Sequence, residues 1–149
     1  MKLRALLPVA GFLLLSAGCA TLPYAKMEGA LRRGDYDQAR AALSAAKKDY
    51  GSKAHLLYLF DQVSLAHYAS DWTTSNQYLE KADHLIDELY TKSLSAEAAS
   101  FLLNDMSLPY QGENFERVLL HVLGMVNYAG LGERDEALVE ARRADERLK

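Results

Sequence analysis

Gly34-Asp35-Tyr36-Asp37-Gln38-Ala39 breaks one helix and starts the next. Asp35 can cap the new helix, with Gln38 three residues on as its capping-box partner. The same order returns in Ser70-Asp71-Trp72-Thr73-Thr74-Ser75: a small residue, an aspartate cap, an aromatic, then a small residue three later. Gly132-Glu133-Arg134-Asp135-Glu136-Ala137 gives it a third time, preceded by Tyr128. Gly34 and Ser70 lie 36 residues apart, a spacing that suits a repeat built from a pair of helices. Ser70 and Gly132 are 62 apart, so a non-repeat insert is expected between them, over about residues 91–114. It is read as a short helix at 95–107 followed by the turn Leu108-Pro109-Tyr110-Gln111-Gly112.

Between these boundaries apolar residues recur at helical spacing. Ala39, Ala42, Leu43, Ala46 and Tyr50 form one stripe, and Leu56, Phe60, Val63 and Ala66 or His67 a second. Ser75, Leu79, Ala82, Ile86 and Leu89 form a third. Phe115, Val118, Leu119, Val122, Val126 and Ala129 follow, then Ala137, Ala141, Ala144 and Leu148. No segment alternates as a strand would. The predicted class is all-α.

The boundary segments resemble the turn and second helix of tetratricopeptide (TPR) repeats. The matching positions are Gly34, Tyr36, Ala39, Leu43 and Ala46; Ser70, Trp72, Ser75, Leu79 and Ala82; and Gly132, Arg134, Ala137, Ala141 and Ala144. Small residues at such positions let neighbouring helices approach, while the aromatic fills the space beside the turn. Serine at two small positions, Arg134 in place of the aromatic, and Gly51 where a proline would close a repeat depart from the pattern. The resemblance implies an antiparallel helix-pair solenoid.

The first 18 residues read as an export signal. Met1-Lys2-Leu3-Arg4 is a basic start and Ala5 to Leu15 an apolar run of 11 residues, too short for a membrane span of about 20. Ser16-Ala17-Gly18 then places small residues before Cys19, the one cysteine in the chain. An exported lone thiol has no disulfide partner in its own chain; lipidation accounts for it. Two or more acyl chains, at about 0.8 kcal/mol per buried CH₂, anchor stably where one does not. Ala20 after the cysteine resembles an address for the outer membrane, facing the periplasm. The mature part, residues 19–149, is one domain's worth of chain. Without Lys2 and Arg4 it holds 15 basic and 20 acidic side chains, a net charge of −5. With no long basic run, nucleic acid is an unsuitable partner.

A narrower resemblance covers about residues 110–149. Tyr110-x-Gly112-Glu113-x-Phe115-Glu116, then His121, Asn127-Tyr128, Leu131-Gly132 and Ala137-Leu138-Val139-Glu140-Ala141-Arg142-Arg143, is similar to a family of TPR lipoproteins of Gram-negative envelopes. Its members run longer. The family resemblance implies an accessory protein of the outer membrane, working with other envelope proteins in assembly or secretion. A repeat array usually closes on a helix with a polar outer face. None follows Lys149, so three expectations stand: a partner covers that flank, the molecule self-associates, or the chain is a shortened version of a longer protein, the one that the longer family members favour.

No constellation of catalytic residues stands out. His55, His67, His84 and His121 form no His-x-x-x-His pair and no obvious cluster with carboxylates, so neither a metal nor another cofactor is expected beyond the lipid on Cys19. His67 follows the apolar spacing and is read at a helix interface. Glu113 and Glu116, beside Tyr110 and His121, are the one group that carries an alternative, a peptidoglycan-acting enzyme that cleaves glycan by paired carboxylates, or its direct activator. Both fall in the first turn of a helix, where the dipole favours negative charge. The expected work is binding. Carried over position by position, the groove-lining face of a TPR stack shows Tyr24, Glu28, Leu31 and Arg32 in the first repeat and Leu57, Phe60, Ser64, His67 and Tyr68 in the second. Aromatic anchors among a few polar groups suit protein recognition. The third such face, Leu119, Val122, Val126 and Ala129, is almost wholly apolar, so a cover from the insert or from a missing C-terminal part is expected.

Overall fold

The computed structural model describes residues 24–97 and 108–149. The signal, Cys19 and most of the helix read at 95–107 lie outside them. Six helices and no strand occur among the described residues: α1 (Tyr24–Arg32), α2 (Tyr36–Tyr50), α3 (His55–Tyr68), α4 (Trp72–Glu97), α5 (Asn114–Leu131) and α6 (Arg134–Arg147). The chain is all-α. Each helix packs against the next in sequence, and α3 also meets α5. α4 continues unbroken to Glu97, so residues 91–97 of the expected insert extend it. No helix among those described is long and apolar enough to cross a membrane.

The three boundaries share one hydrogen-bond pattern. Gly34, Ser70 and Gly132 have φ of 70°, 58° and 82°, and their N–H groups bond the carbonyl three residues back, on Leu31, His67 and Ala129. The next residues, Asp35, Asp71 and Glu133, donate five back, to Ala30, Ala66 and Tyr128. Their own carbonyls then accept from Ala39, Ser75 and Ala137. This is a Schellman-type helix end, in which a left-handed residue lets the last carbonyls find donors. Asp35 caps α2 through Gln38 N (3.0 Å), and Asp71 caps α4 through Thr74 N (3.2 Å). Arg40 of α2 also reaches Asp71 at 2.5 Å, and this hydrogen bond holds the Asp71 carboxyl below its ordinary value. Both partners are about a third exposed, so the pair adds little stability.

Ser70 is the one non-glycine residue in a left-handed conformation among those described, at a cost of about 1–2 kcal/mol. Glycine would remove that strain but loses about 0.5–1 kcal/mol through the freer unfolded chain. Ser70→Gly is therefore expected to raise stability by roughly 0.5 kcal/mol, read as a higher urea midpoint at an unchanged slope.

The small positions sit where helices touch. Ala39, Ser75 and Ala137 are buried, as are Ala46, Ala82 and Ala144, and with Leu43, Leu56, Val63, Leu79, Ile86 and Leu120 they fill the interior. Trp72 packs on Gly130 of α5, where a methyl group would come within 2.5 Å of the indole ring. α5 differs from the other helices. Its apolar stripe faces outward, with Phe115, Leu119 and Val126 exposed, and it buries Leu120, His121, Gly124 and Asn127 instead. Polar residues can occupy that inner face because each finds a partner on another helix. Nothing among the described residues covers the outward one.

Candidate partner-binding groove

The segment before α5 returns to the start of α3 and fixes how the two helices meet. Tyr110 N–H donates to the Lys53 carbonyl at 2.8 Å. Gly112 takes φ 78° beside Phe60 and Leu56, where a Cβ would sit 3.2 Å from the Phe60 ring. Only glycine suits both the conformation and the approach. α5 then starts at Asn114, with the Glu116 carboxylate accepting Glu113 N–H at 2.7 Å, the reach-back half of a capping box, and also the Tyr110 hydroxyl.

Between α3 and α5 lies a groove of about 190 Å³. Leu57, Phe60, Val63, Phe115, Leu119, Leu120 and Leu123 give it apolar walls, and Asp61, Ser64 and Glu116 supply its polar groups. Phe115 is 68 % exposed and Leu119 50 %, so the α5 wall stands open to solvent.

Asp61 is anchored from behind. The hydroxyls of Tyr50 (2.5 Å) and Tyr24 (3.3 Å) both donate to its Oδ2, linking α1, α2 and α3. Burial raises the Asp61 carboxyl above its usual value of 3.8; the two tyrosine hydroxyls oppose this, and the negative charge of Glu116 adds to it. Burial likewise raises Tyr110, helped by its bond to Glu116, to about 12. Folding thus disfavours the ionised form of Asp61 relative to the unfolded chain, where the carboxylate is fully hydrated. The stability that the protonated form contributes is complete below the unfolded value, near 4, and is lost as pH rises through the folded one. Asp61→Asn, whose amide oxygen can still accept from the tyrosines, is expected to melt above the wild type at neutral pH. The gap should narrow on acidification toward pH 4, as thermal unfolding across that range would record.

The residues expected to form one face are not all in one place. Phe60, Ser64 and Leu57 line the groove, opposite Phe115. Tyr24 packs behind it on Asp61, and Leu31 packs against the core. Glu28 and Arg32 pair with each other at 3.9 Å on the exposed side of α1. His67 lies between helices, its Nδ1–H donating to Asn127 Oδ1 at 2.6 Å. Tyr68, 62 % exposed, stands beside it as the edge neighbour of the His67 ring. Of the turn motif, Gly112 and Tyr110 brace the groove, and Glu113 opens α5.

His121 corrects the reading that no histidine clusters with carboxylates. It is 1 % exposed, with Nδ1 2.8 Å from Glu140 and Nε2 3.7 Å from Asp83. Arg143 spans Glu140 at 3.1 Å and Asp83 at 3.3 Å, and Arg147 reaches Asp83 and Asp87 at 3.6 Å. These groups come from α4, α5 and α6, so no short sequence window holds them. No group of three or more residues suited to holding a metal ion occurs among the described residues.

Asp61 was also missed. Its signal is the single charged residue inside the largely apolar stretch Leu56–Leu65. No protein-family model, no curated protein and no solved structure matches the chain.

Proposed function

We propose that this is a non-catalytic, lipid-anchored envelope protein with a TPR-like helix-pair solenoid, whose α3–α5 groove docks another envelope protein during assembly or secretion. The observation that carries it is the groove itself, apolar along both walls and open along Phe115 and Leu119. Large aromatic and aliphatic side chains in such a position are the usual energetic centres of protein recognition. The three boundaries with matching hydrogen bonds support the repeat architecture. The export signal and the lone Cys19 support the anchor, at the periplasmic face of the outer membrane. Glu116 already receives the Tyr110 hydroxyl and Glu113 N–H, which gives it a structural task and favours binding over glycan cleavage.

The test is cross-linking in intact cells followed by affinity capture, comparing wild type with a Phe60→Ala variant. A discrete envelope partner should be captured by the wild type and lost with the Phe60 wall. A partner retained at full yield by the variant would refute groove docking. Growth with labelled palmitate checks the anchor: label should enter the wild type and not Cys19→Ser.

A further inference from the structure

The groove is apolar, but its polar groups share one sign. Asp61 stands on the α3 side and Glu116 on the α5 side, with Ser64 as the remaining polar residue, and no lysine or arginine lines it. The charged group that acts on Asp61 is the second carboxylate, Glu116. Each acid is held in place by tyrosine: Tyr24 and Tyr50 on Asp61 Oδ2, and Tyr110 on Glu116 Oε2. Hydroxyl donors fix the direction of these carboxylates without neutralising them. Two fixed negative charges between leucine and phenylalanine walls are complementary to a cation flanked by apolar groups, because a cation entering there relieves their mutual repulsion. An acidic or anionic ligand, including a fatty acid headgroup, would add to it.

Resting on the docking reading above, we infer that the α3–α5 groove recognises a basic amphipathic segment of its protein partner. Leucine-like side chains at i and i+4 lie against Leu57, Phe60, Leu119 and Leu123, and a lysine or arginine between them meets Asp61 and Glu116. This is helix-in-groove recognition with the charge pair setting identity. The acids then discriminate between partners more than they add affinity, since exchanging the cation for an anion turns attraction into repulsion.

The test uses two synthetic amphipathic helices with leucines at i and i+4, one carrying lysine between them and its twin carrying glutamate. Binding to the folded domain is measured by the chemical shifts of labelled Leu and Phe side chains. The lysine helix should shift Phe60, Phe115 and Leu119, and bind about tenfold or more tightly than the twin, a difference of about 1.4 kcal/mol. In Asp61→Asn/Glu116→Gln, whose amide oxygens still accept from the tyrosines, the gap should fall to about threefold or less. Equal binding of the two helices to the wild type would overturn charge recognition and leave groove docking standing. Binding of neither would also overturn the inference; cellular capture by wild type and the Phe60 variant reports separately on docking. A concentration-dependent dimer dissolved by Phe115→Ala would assign the groove to a second copy and overturn it as well. The comparison on the wild type keeps the test decisive should the double variant fold poorly.

Discussion

Glu140→Ala is expected to lower the unfolding free energy by about 2–3 kcal/mol, the effect of leaving a buried hydrogen-bond donor without its acceptor. Glu140 is 4 % exposed and His121 is 1 % exposed. The carboxylate accepts from His121 Nδ1 and from Arg143, at 2.8 and 3.1 Å. Truncation leaves the imidazole with its Nδ1–H unbonded and its nearest remaining charge Asp83, at 3.7 Å. Arg143, nearly half exposed, can turn to water; His121 cannot. The loss should therefore come from the α5–α6 contact, seen as a lower urea midpoint and earlier amide exchange in α6. Glu140→Gln keeps an acceptor and should cost less. A variant as stable as the wild type would show that the cluster contributes nothing to the packing of α6.

Asn127→Ala is expected to cost about 2–4 kcal/mol, combining lost packing with polar groups left unsatisfied in the interior. Asn127 is fully buried. Its Nδ2 donates to Ser75 Oγ and to Asn76 Oδ1, both at 2.8 Å, while its Oδ1 accepts from His67. Ser75 in turn donates to the Val63 carbonyl at 2.9 Å. One side chain thus joins α3, α4 and α5. Alanine strands Asn76 Oδ1, where Asn76 Nδ2 already lacks a partner, and opens a cavity beside them. Calorimetric melting of the variant should show a lower Tm with no loss of helicity at low temperature. Because the network joins α3 to α5, chemical shifts of Phe60 and Phe115 should move too. Unchanged groove shifts would separate stability from groove geometry.

The parts of the structure that can be read from sequence are those set by neighbouring residues. The boundaries at Gly34, Ser70 and Gly132 follow from a left-handed residue, an acidic residue at the cap position and a small residue four positions after it. All are local, and the same order reports the same geometry at each. The small positions Ala39, Ser75 and Ala137 follow as well, because a repeated turn puts each of them against the preceding helix. The buried face of α5 could not be read this way. His121 and Asn127 appear as polar interruptions of an apolar stripe, and the partners that make their burial tolerable lie from 19 residues away (Glu140) to 60 (His67). Part of the groove was legible: Leu57, Phe60 and Ser64 on α3 and Leu119 on α5 through repeat position, whereas Phe115 and Glu116 stood out only in the turn motif, with no place in the groove. Bringing the two walls together depends on Tyr110 meeting the Lys53 carbonyl and on Gly112 against Phe60. Both are long-range contacts without a local pattern.

The most direct measurement is photo-cross-linking in intact cells from a reactive residue placed at Phe115, on the open wall of the groove, compared with one at Arg142, also exposed but on α6. Groove docking requires one discrete envelope protein to cross-link from position 115 and not from 142, with the attached residue inside a helical segment of that partner. The same products from both positions, or none from 115 while 142 captures a partner, would contradict it.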